Sequence, residues 1–378
     1  MWKAWNRLWY GTKTAGSCVV LVVAAPAICA QSLTPTHLTD LPPLLQEASG
    51  LLRMGSDTWL VLDSGNDHAM YRVSEESGEV LQQVTLSNAT NVDWEAISTD
   101  GIHVYVADVG NNAGARTDLR VYRFPSTALT NTASSITVDT IRFRYADQVD
   151  FTPLPDGTNW DCEALVAMDD SLFLFTKNWV DGRTHLYTLP ATPGDHMAVR
   201  RDAFDVQGLL TGAALHEGNI ALVGHAAGSI APFVWLLNGY VEHRFFDGQR
   251  TRYGLATGPL QMEAIAFVDE TTLMLGNEAT PDVAPSLWQL RLPTAMPEQV
   301  HHGKVLRTYP IPADRHVCIQ GIEQRQEVVV HDMSGAAVGR VQVGQHGDID
   351  LPYLIPGKYL IEVLSDGVPF RTTFLVAH

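Results

Sequence analysis

The 378-residue sequence predicts an all-β fold, and three observations carry the prediction. A phrase of about fifty residues recurs through the first three quarters of the chain. Each copy is built from short β-branched and aromatic runs parted by Gly, Asp, Asn and Pro, whereas the last seventy or so residues change to a separate pattern of short alternating strands. A repeat of that period and makeup marks a β-propeller, because one small sheet cannot bury both of its faces and must stack against copies of itself. The expected architecture is a five-bladed propeller over residues 31–300, with a degenerate sixth blade as the alternative count, followed by a small Ig-like β-sandwich over 301–378.

Residues 1–30 stand apart from both domains. Lys3, Arg7 and Lys13 precede the apolar stretch CVVLVVAAPAICA, which ends in small residues and is short for a bilayer span. This reads as a secretory signal peptide cleaved after Ala30 or Ala27, with an uncleaved anchor as the alternative. Without the leader's three cations the formal charge moves from −17 to −20, which argues against nucleic acid and anionic membrane surfaces as partners. Cys18 and Cys29 leave with the leader, and Cys162 and Cys318 are too few to make a disulfide scaffold. The apolar run from Ile220 to Leu237 is broken by His225, Gly228 and Pro232, so it reads as two buried strands. No transmembrane helix is expected in the mature chain.

The repeat is spelled in three steps. A carboxylate opens it in QEASGLL at Glu47, WEAIS at Glu95, CEALVA at Glu163 and MEAIAF at Glu263, with TGAALH at Gly212 filling the remaining copy; the intervals are 48, 68, 49 and 51 residues. Each copy continues into a second apolar run with a polar stop, namely WLVLDSGND, VYVADVGNN, LFLFTKNW, IALVGHA and LMLGNEA. A third run carries an aromatic in the same place, at Tyr71, Tyr122, Tyr187, Trp235 and Trp288. LQQVTL, TIRFRYA and EHRFFD supply outer strands, and the long interval is a blade with an insertion around TALTNTASSI. The last copy lacks an outer strand, while THLTDLP, residues 36–42, lies ahead of the first copy and can close the ring by pairing with the last.

In this architecture the loop entering the innermost strand and the loop leaving the second open on one face, so the glutamates and polar stops should meet at one channel mouth. Carboxylates gathered there repel one another unless they bind a cation, pair with a base or hold protons. Glu47, Glu95, Glu163 and Glu263 are therefore candidate metal ligands, and Ca2+ is the cofactor that fits, since it takes about six to eight oxygen ligands. Asn66, Asp108, Asn111 and Asn277 are candidate ligand-binding residues at the same mouth, with Glu278 as a further companion. The opposing expectation is that each glutamate caps backbone amides of the neighbouring blade. Lys177 and Arg116 would neutralise the ring or receive an anionic group, and His225 is either a general base or a hydrogen-bonded strand end. The sequence has no G-x-S-x-G elbow, H-E-x-x-H pair, C-x-x-C, phosphate loop or dinucleotide fingerprint.

The phrases DWE, GNN and DCEA…LFTKNW…LYTLP, spread from Leu41 to Pro293, resemble a family of secreted β-propeller proteins of Bacteroidetes. Residues 305–378 resemble the C-terminal sorting domain of type IX secretion, through YPIPA at Tyr309, VVVHDMSGAAVGR at Val328 and IDLPYLIPGKYLIEV at Ile349. Ile311 replaces the usual asparagine between the prolines, and the tail TTFLVAH lacks the usual lysines. The resemblance implies passage through the periplasm to the cell surface or medium, with the type IX machinery as a partner. It implies no particular chemistry. Two functions follow from the residues: binding of a small ligand, glycan or protein at the acidic mouth, or calcium-assisted hydrolysis of an ester, lactone or phosphoester with a ring carboxylate or His225 as base.

Overall fold

In the computed structural model the described residues are 31–293 together with 307–309, 316–320, 327–332, 337–344, 348–351, 354–365 and 368–376. The leader with Cys18, Cys29 and Ala30, the linker pair His301 and His302, and the segments 310–313 and 333–336 of the C-terminal motifs lie outside them.

The N-terminal part is a β-propeller of antiparallel meanders. Their innermost strands are Ala48–Met54, Trp94–Thr99, Asp161–Met168, Leu209–His216 and Met262–Asp269. Each of these lies against the next in that order, and Met262–Asp269 lies back against Ala48–Met54. Apolar cores follow the same cycle, one in each gap between neighbouring sheets, so that Phe173, Phe175 and Phe245 fill one gap and Leu45, Leu60 and Met274 another. The innermost strands read as continuous buried runs because both faces are covered, and they carry Gly50, Ala96, Ala164, Gly212 and Ala264 where they crowd together. Outer strands alternate instead: Asp139–Tyr145 buries Ile141, Phe143 and Tyr145 and exposes the residues between.

The five aromatics of the third strands occupy one register position. Tyr71, Tyr122, Tyr187, Trp235 and Trp288 pair with Leu60, Val106, Leu174, Leu222 and Leu275. Several of their polar tips bond to neighbouring loops, as Tyr122 does to Thr90 O and Trp235 Nε1 does to Val206 O. The run from Ile220 to Leu237 is two strands, Asn219–His225 and Pro232–Asn238, and among the described residues no helix is long and apolar enough to cross a membrane.

Ring closure follows the expected route. Thr36–Asp40 pairs antiparallel with Ser286–Arg291, the third strand of the last meander, and becomes its outer strand. Gly78, at φ 73°, sits where a Cβ would collide with Asp40 O, so the first meander's outer turn presses directly on the closing strand.

Three features depart from expectation. EHRFFD is no strand: Phe245–Asp247 is a 3-10 turn that buries Phe245 and Phe246, and the outer strand of that meander is Gln249–Leu255. The insertion around TALTNTASSI returns as Ser135–Ile136, a fifth strand parallel to Thr85 and Leu86 of the preceding sheet. Asp139–Tyr145 and Gly194–Phe204 pair in parallel, which joins the second and third sheets into one of eight strands and covers two edges at once.

The C-terminal segment has two antiparallel sheets. Arg307–Tyr309, His316–Gln320 and Asp348–Asp350 make one, while Glu327–Asp332, Ala337–Gln342, Gly357–Ser365 and Val368–Val376 make the other. Val317 and Ile349 from the first share an apolar core with Val328, Val330, Tyr359 and Ile361 from the second. Cys162 and Cys318 are not joined in a disulfide.

Candidate functional site at the channel mouth

In every innermost strand the ladder slips by one residue at the same place, and the bulged residues are Ser49, Glu95, Glu163, Thr211 and Glu263. This register revises the alignment by letter. Ser49, not Glu47, is the equivalent of Glu95, and Thr211 rather than Gly212 takes the fourth place. The two hydroxyls lock neighbouring strands together: Ser49 Oγ donates to Trp94 O at 2.6 Å and Thr211 Oγ1 to Met262 O at 2.5 Å. An ionised carboxylate cannot donate that bond. Glu163 instead accepts from Lys177 Nζ at 3.1 Å, and Glu47 accepts from Asn66 Nδ2 at 2.7 Å.

A second layer lies two residues ahead of the bulges, with Glu47, Asp93 and Asp161 in three strands and Leu209 and Gln261 in the other two. It faces the ends of the second strands, where Asp63, Val109, Lys177, His225 and Glu278 stand opposite in the same order. The acids of both layers feel one another. Burial pushes the Glu95 carboxyl well above its usual range, and Glu163, Asp63 and Asp93 push it further. Asp93 is pushed up to about 7 by burial and by Asp63 beside it. Glu278 rises to about 9 through burial and then through Glu263 and Asp63, and burial lifts Glu263 to about 6 against the pull of Lys177.

Lys177 is the one buried cation at this level among the described residues. Burial opposes its charge, but Glu163, Glu263, Asp161 and Glu95 together hold the ammonium protonated, and its Nζ lies 4.8 Å from the centre of the Trp179 ring. Burial pushes Glu163 upward, and the ammonium pulls it back. His225 is buried, its proton affinity is lowered by burial and by Lys177, and its Nδ1 meets only Ala226 O at 3.4 Å. Among the described residues no carboxylate orients that ring as a base requires.

The remaining predicted residues hold loops. Asp108 is fully buried between Arg116 at 2.8 Å and Arg120 at 3.6 Å, and its Oδ1 accepts the Asp93 amide at 3.1 Å. Asn111 accepts the Arg116 amide and donates to Trp160 O. Arg116 also bonds to Gly110 O and pairs with Asp118, which leaves it no free fork for an anion. Asn277 is consumed by Glu278 O, Ala284 O and the Trp288 indole. Asp108, Asn111 and Arg116 thus position the Asp93 and Gly110 loops, and Asn277 holds the loop from Glu278 to Ala284.

Three carboxylates do converge tightly, and only one belongs to the predicted four. One oxygen each from Asp63, Asp93 and Glu95 lie within 4.8 Å of one another. Asp63 and Asp93 are half-buried, whereas Glu95 is 6% exposed. The sequence signal for Asp93 was the acid two residues before the bulge, repeated in Asp93-Trp94-Glu95, Asp161-Cys162-Glu163 and Glu47-Ala48-Ser49. At the level of the bulges a gap of about 10 Å3 lies among Ser49, Gly50, Glu95, Gly212 and Glu263, and further along the same strands is a cavity of about 190 Å3 lined by Leu52, Ser98, His216 and Phe267.

No protein-family model matches the chain, and no curated protein matches it in sequence. Among solved structures it is similar to an exo-β-1,3-galactanase from Phanerochaete chrysosporium, at 11% identity and TM-score 0.43 over 91% of this chain and 93% of that one. It is also similar to an α-L-arabinofuranosidase from Podospora anserina, at 10% identity and TM-score 0.38 over 69% and 96%. A third is the catalytic domain of an α-L-arabinofuranosidase from Coprinopsis cinerea, at 9% identity and TM-score 0.38 over 69% and 97%. The propeller assignment stands on the strand pairings and the cycle of cores.

Proposed function

We propose that this chain is an exported five-bladed propeller that binds a polyhydroxylated ligand, a glycan, at the acidic mouth. The observation that carries the reading is the surplus of carboxylates there: Glu47, Asp63, Asp93, Glu95, Asp161, Glu163, Glu263 and Glu278 against Lys177 as the one buried cation among the described residues. Ser49 and Thr211 perform the locking at two of the equivalent positions with plain hydroxyls, so the scaffold has no need of carboxylates at the other three. Acceptor oxygens crowded around a pocket suit a ligand rich in hydroxyl donors. The five-blade count is supported by the closed cycle of innermost strands.

The experiment is a glycan array probed with the leaderless chain, repeated with Glu278→Gln, since Glu278 is part-buried at the mouth whereas both Asp161 oxygens are taken by the Asn111 amide and the Trp179 indole. Binding weakened about tenfold or more in the variant is expected. Equal binding by both proteins would move the ligand off the mouth. Turnover of ester, lactone or phosphoester substrates by the same protein would replace the binding reading with the hydrolase.

Export through the type IX route belongs to the same proposal, supported by the two C-terminal sheets with a core of their own and by the motifs at Val328 and Ile349. We read them as an Ig-like sorting domain. A chain ending before Val305 is expected to reach the periplasm and stay there, whereas the full chain appears at the cell surface or in the medium. Equal extracellular yield of the two, measured by fractionation, would leave the domain an accessory sandwich.

A further inference from the structure

We propose that Asp63, Asp93 and Glu95 form a single divalent-cation site on one side of the mouth, and that the ion it takes is Ca2+. This deepens the binding reading above and rests on the same face of the propeller. It differs from a cation shared around the whole ring, because Glu163 already has Lys177 at 3.1 Å and Glu47 already has Asn66 at 2.7 Å.

Convergence of acids alone would not make a site, and a second observation points to an ion. The Glu95 side chain is more than nine-tenths buried, and among the described residues its carboxylate receives no hydrogen bond and makes no ion pair. A buried carboxylate left in that state is costly unless something positive meets it. Its open side is the side that Asp63 and Asp93 share, since one oxygen of each lies within 4.8 Å of the others. That separation suits three oxygens around one ion with oxygen distances of roughly 2.3–2.6 Å.

Gly110 makes the convergence possible. A Cβ at this position would collide with Asp93 Oδ2 and stand 2.5 Å from Glu95 Oε1, so any side chain would fill the space where the two carboxylates approach. Its backbone is not in the left-handed region, so the requirement for glycine here is room, not torsion. The loop is held in place from behind. The Val109 and Gly110 amides both donate to Asp93 O, at 3.0 and 3.1 Å, while Asp108, fixed by Arg116 and Arg120, accepts the Asp93 amide. Asp63 is fixed likewise, its carbonyl accepting Asn66 and Asn91 amide groups at 3.1 and 2.9 Å. Three hard carboxylate oxygen donors, with two half-buried members leaving room for water or ligand hydroxyls, select calcium over softer ions. Hydroxyl pairs of a glycan can then complete the coordination sphere.

Titration calorimetry of the leaderless chain with CaCl2, after treatment with EDTA and buffer exchange, tests the assignment. One ion per chain is expected, with a rise in melting temperature on adding calcium. Glu95→Gln and Asp63→Asn should each weaken binding at least tenfold. Gly110→Ala, which keeps every charge and only fills the gap, should weaken it as much. Glu263→Gln, outside the trio, should weaken calcium binding far less than Glu95→Gln does. Loss in Glu263→Gln equal to that in Glu95→Gln would overturn the trio in favour of a shared ring, and absence of both heat and thermal shift in the unmodified chain would remove the metal altogether. Glycan binding that persists in EDTA would also overturn the calcium site as part of the ligand site while leaving the mouth reading intact. Calcium binding with no glycan bound on the array would do the reverse.

Discussion

A chain that starts at Leu41, and so lacks Thr36–Asp40, is expected to aggregate or to lose most of its stability. A chain that starts at Thr36 should remain soluble with a small loss. The difference lies in which edge each truncation uncovers. Gln31–Leu33 is only a short fifth strand, parallel to Tyr253–Leu255 of the fourth sheet, and its removal exposes an outer edge that was already peripheral. Thr36–Asp40 pairs with Ser286, Leu287, Trp288 and Gln289, and its loss unpairs the last meander's third strand along its length. It also removes the Ser286–Asp40 hydrogen bond at 3.0 Å, the His37–Trp288 ring contact and the wall against which Gly78 turns. At roughly 1 kcal/mol for each backbone pairing, before any apolar term, this loss is comparable with the net stability of a whole domain, about 5–15 kcal/mol. An exposed, flat strand is moreover a template for association. Size-exclusion chromatography and thermal melts of the two truncations decide the matter: a monomeric Leu41 chain with an unchanged melting temperature would show that the closing strand is dispensable.

Much of this architecture was legible because each gap between sheets poses the same packing problem. The aromatic at Tyr71 recurs at Tyr122, Tyr187, Trp235 and Trp288 because the third strand must fill an equivalent space opposite Leu60, Val106, Leu174, Leu222 and Leu275. The closing strand was legible for a related reason: the last repeat had no outer strand, and a polar-apolar segment stood unused before the first. The site was legible only in outline. A bulge consumes one residue without leaving a mark in the letters, so QEASG aligned by its glutamate puts Glu47 two places ahead of the position that Ser49 holds. Asp108 and Asn277 misled in another way. Polar residues at strand ends look like ligands, but both are buried at 0% exposure, with their partners, Arg116 and Arg120 or the Trp288 indole, supplied from the same meander. Phe245 and Phe246 read as strand residues, yet they plug the gap beside Phe173 and Phe175 from a turn, and apolar character alone cannot distinguish these roles.

Replacing Lys177 with Met is expected to cost about 3–5 kcal/mol of stability at neutral pH, the usual penalty for removing one partner of a buried pair. The side chain that suffers is Glu163, which is 3% exposed and whose only ion-pair partner among the described residues is Lys177. The methionine keeps most of the apolar stem and its contacts, so the loss reports charge more than packing. It also leaves Glu263, Asp161 and Glu95 without the ammonium that offsets their mutual repulsion. The pH dependence has a definite sign. Burial already holds the folded-state affinity of Glu163 for its proton above the unfolded value, and without Lys177 it rises further. Stability is then retained below the ordinary carboxylate range and lost as pH rises through the raised value. The gap between variant and parent should therefore be smallest at acid pH, where Glu163 is protonated in both, and widen as pH rises through the parent's own raised value, with a slope approaching roughly 1.4 kcal/mol per pH unit. Lys177→Met combined with Glu163→Gln should recover much of the loss, because the neutral amide no longer needs a counter-charge. Urea melts of the parent, both single variants and the double variant at two pH values measure the coupling directly. If the two single losses simply add in the double variant, with no dependence on pH, the pair contributes nothing specific, and the charge balance of the mouth must be set by other groups.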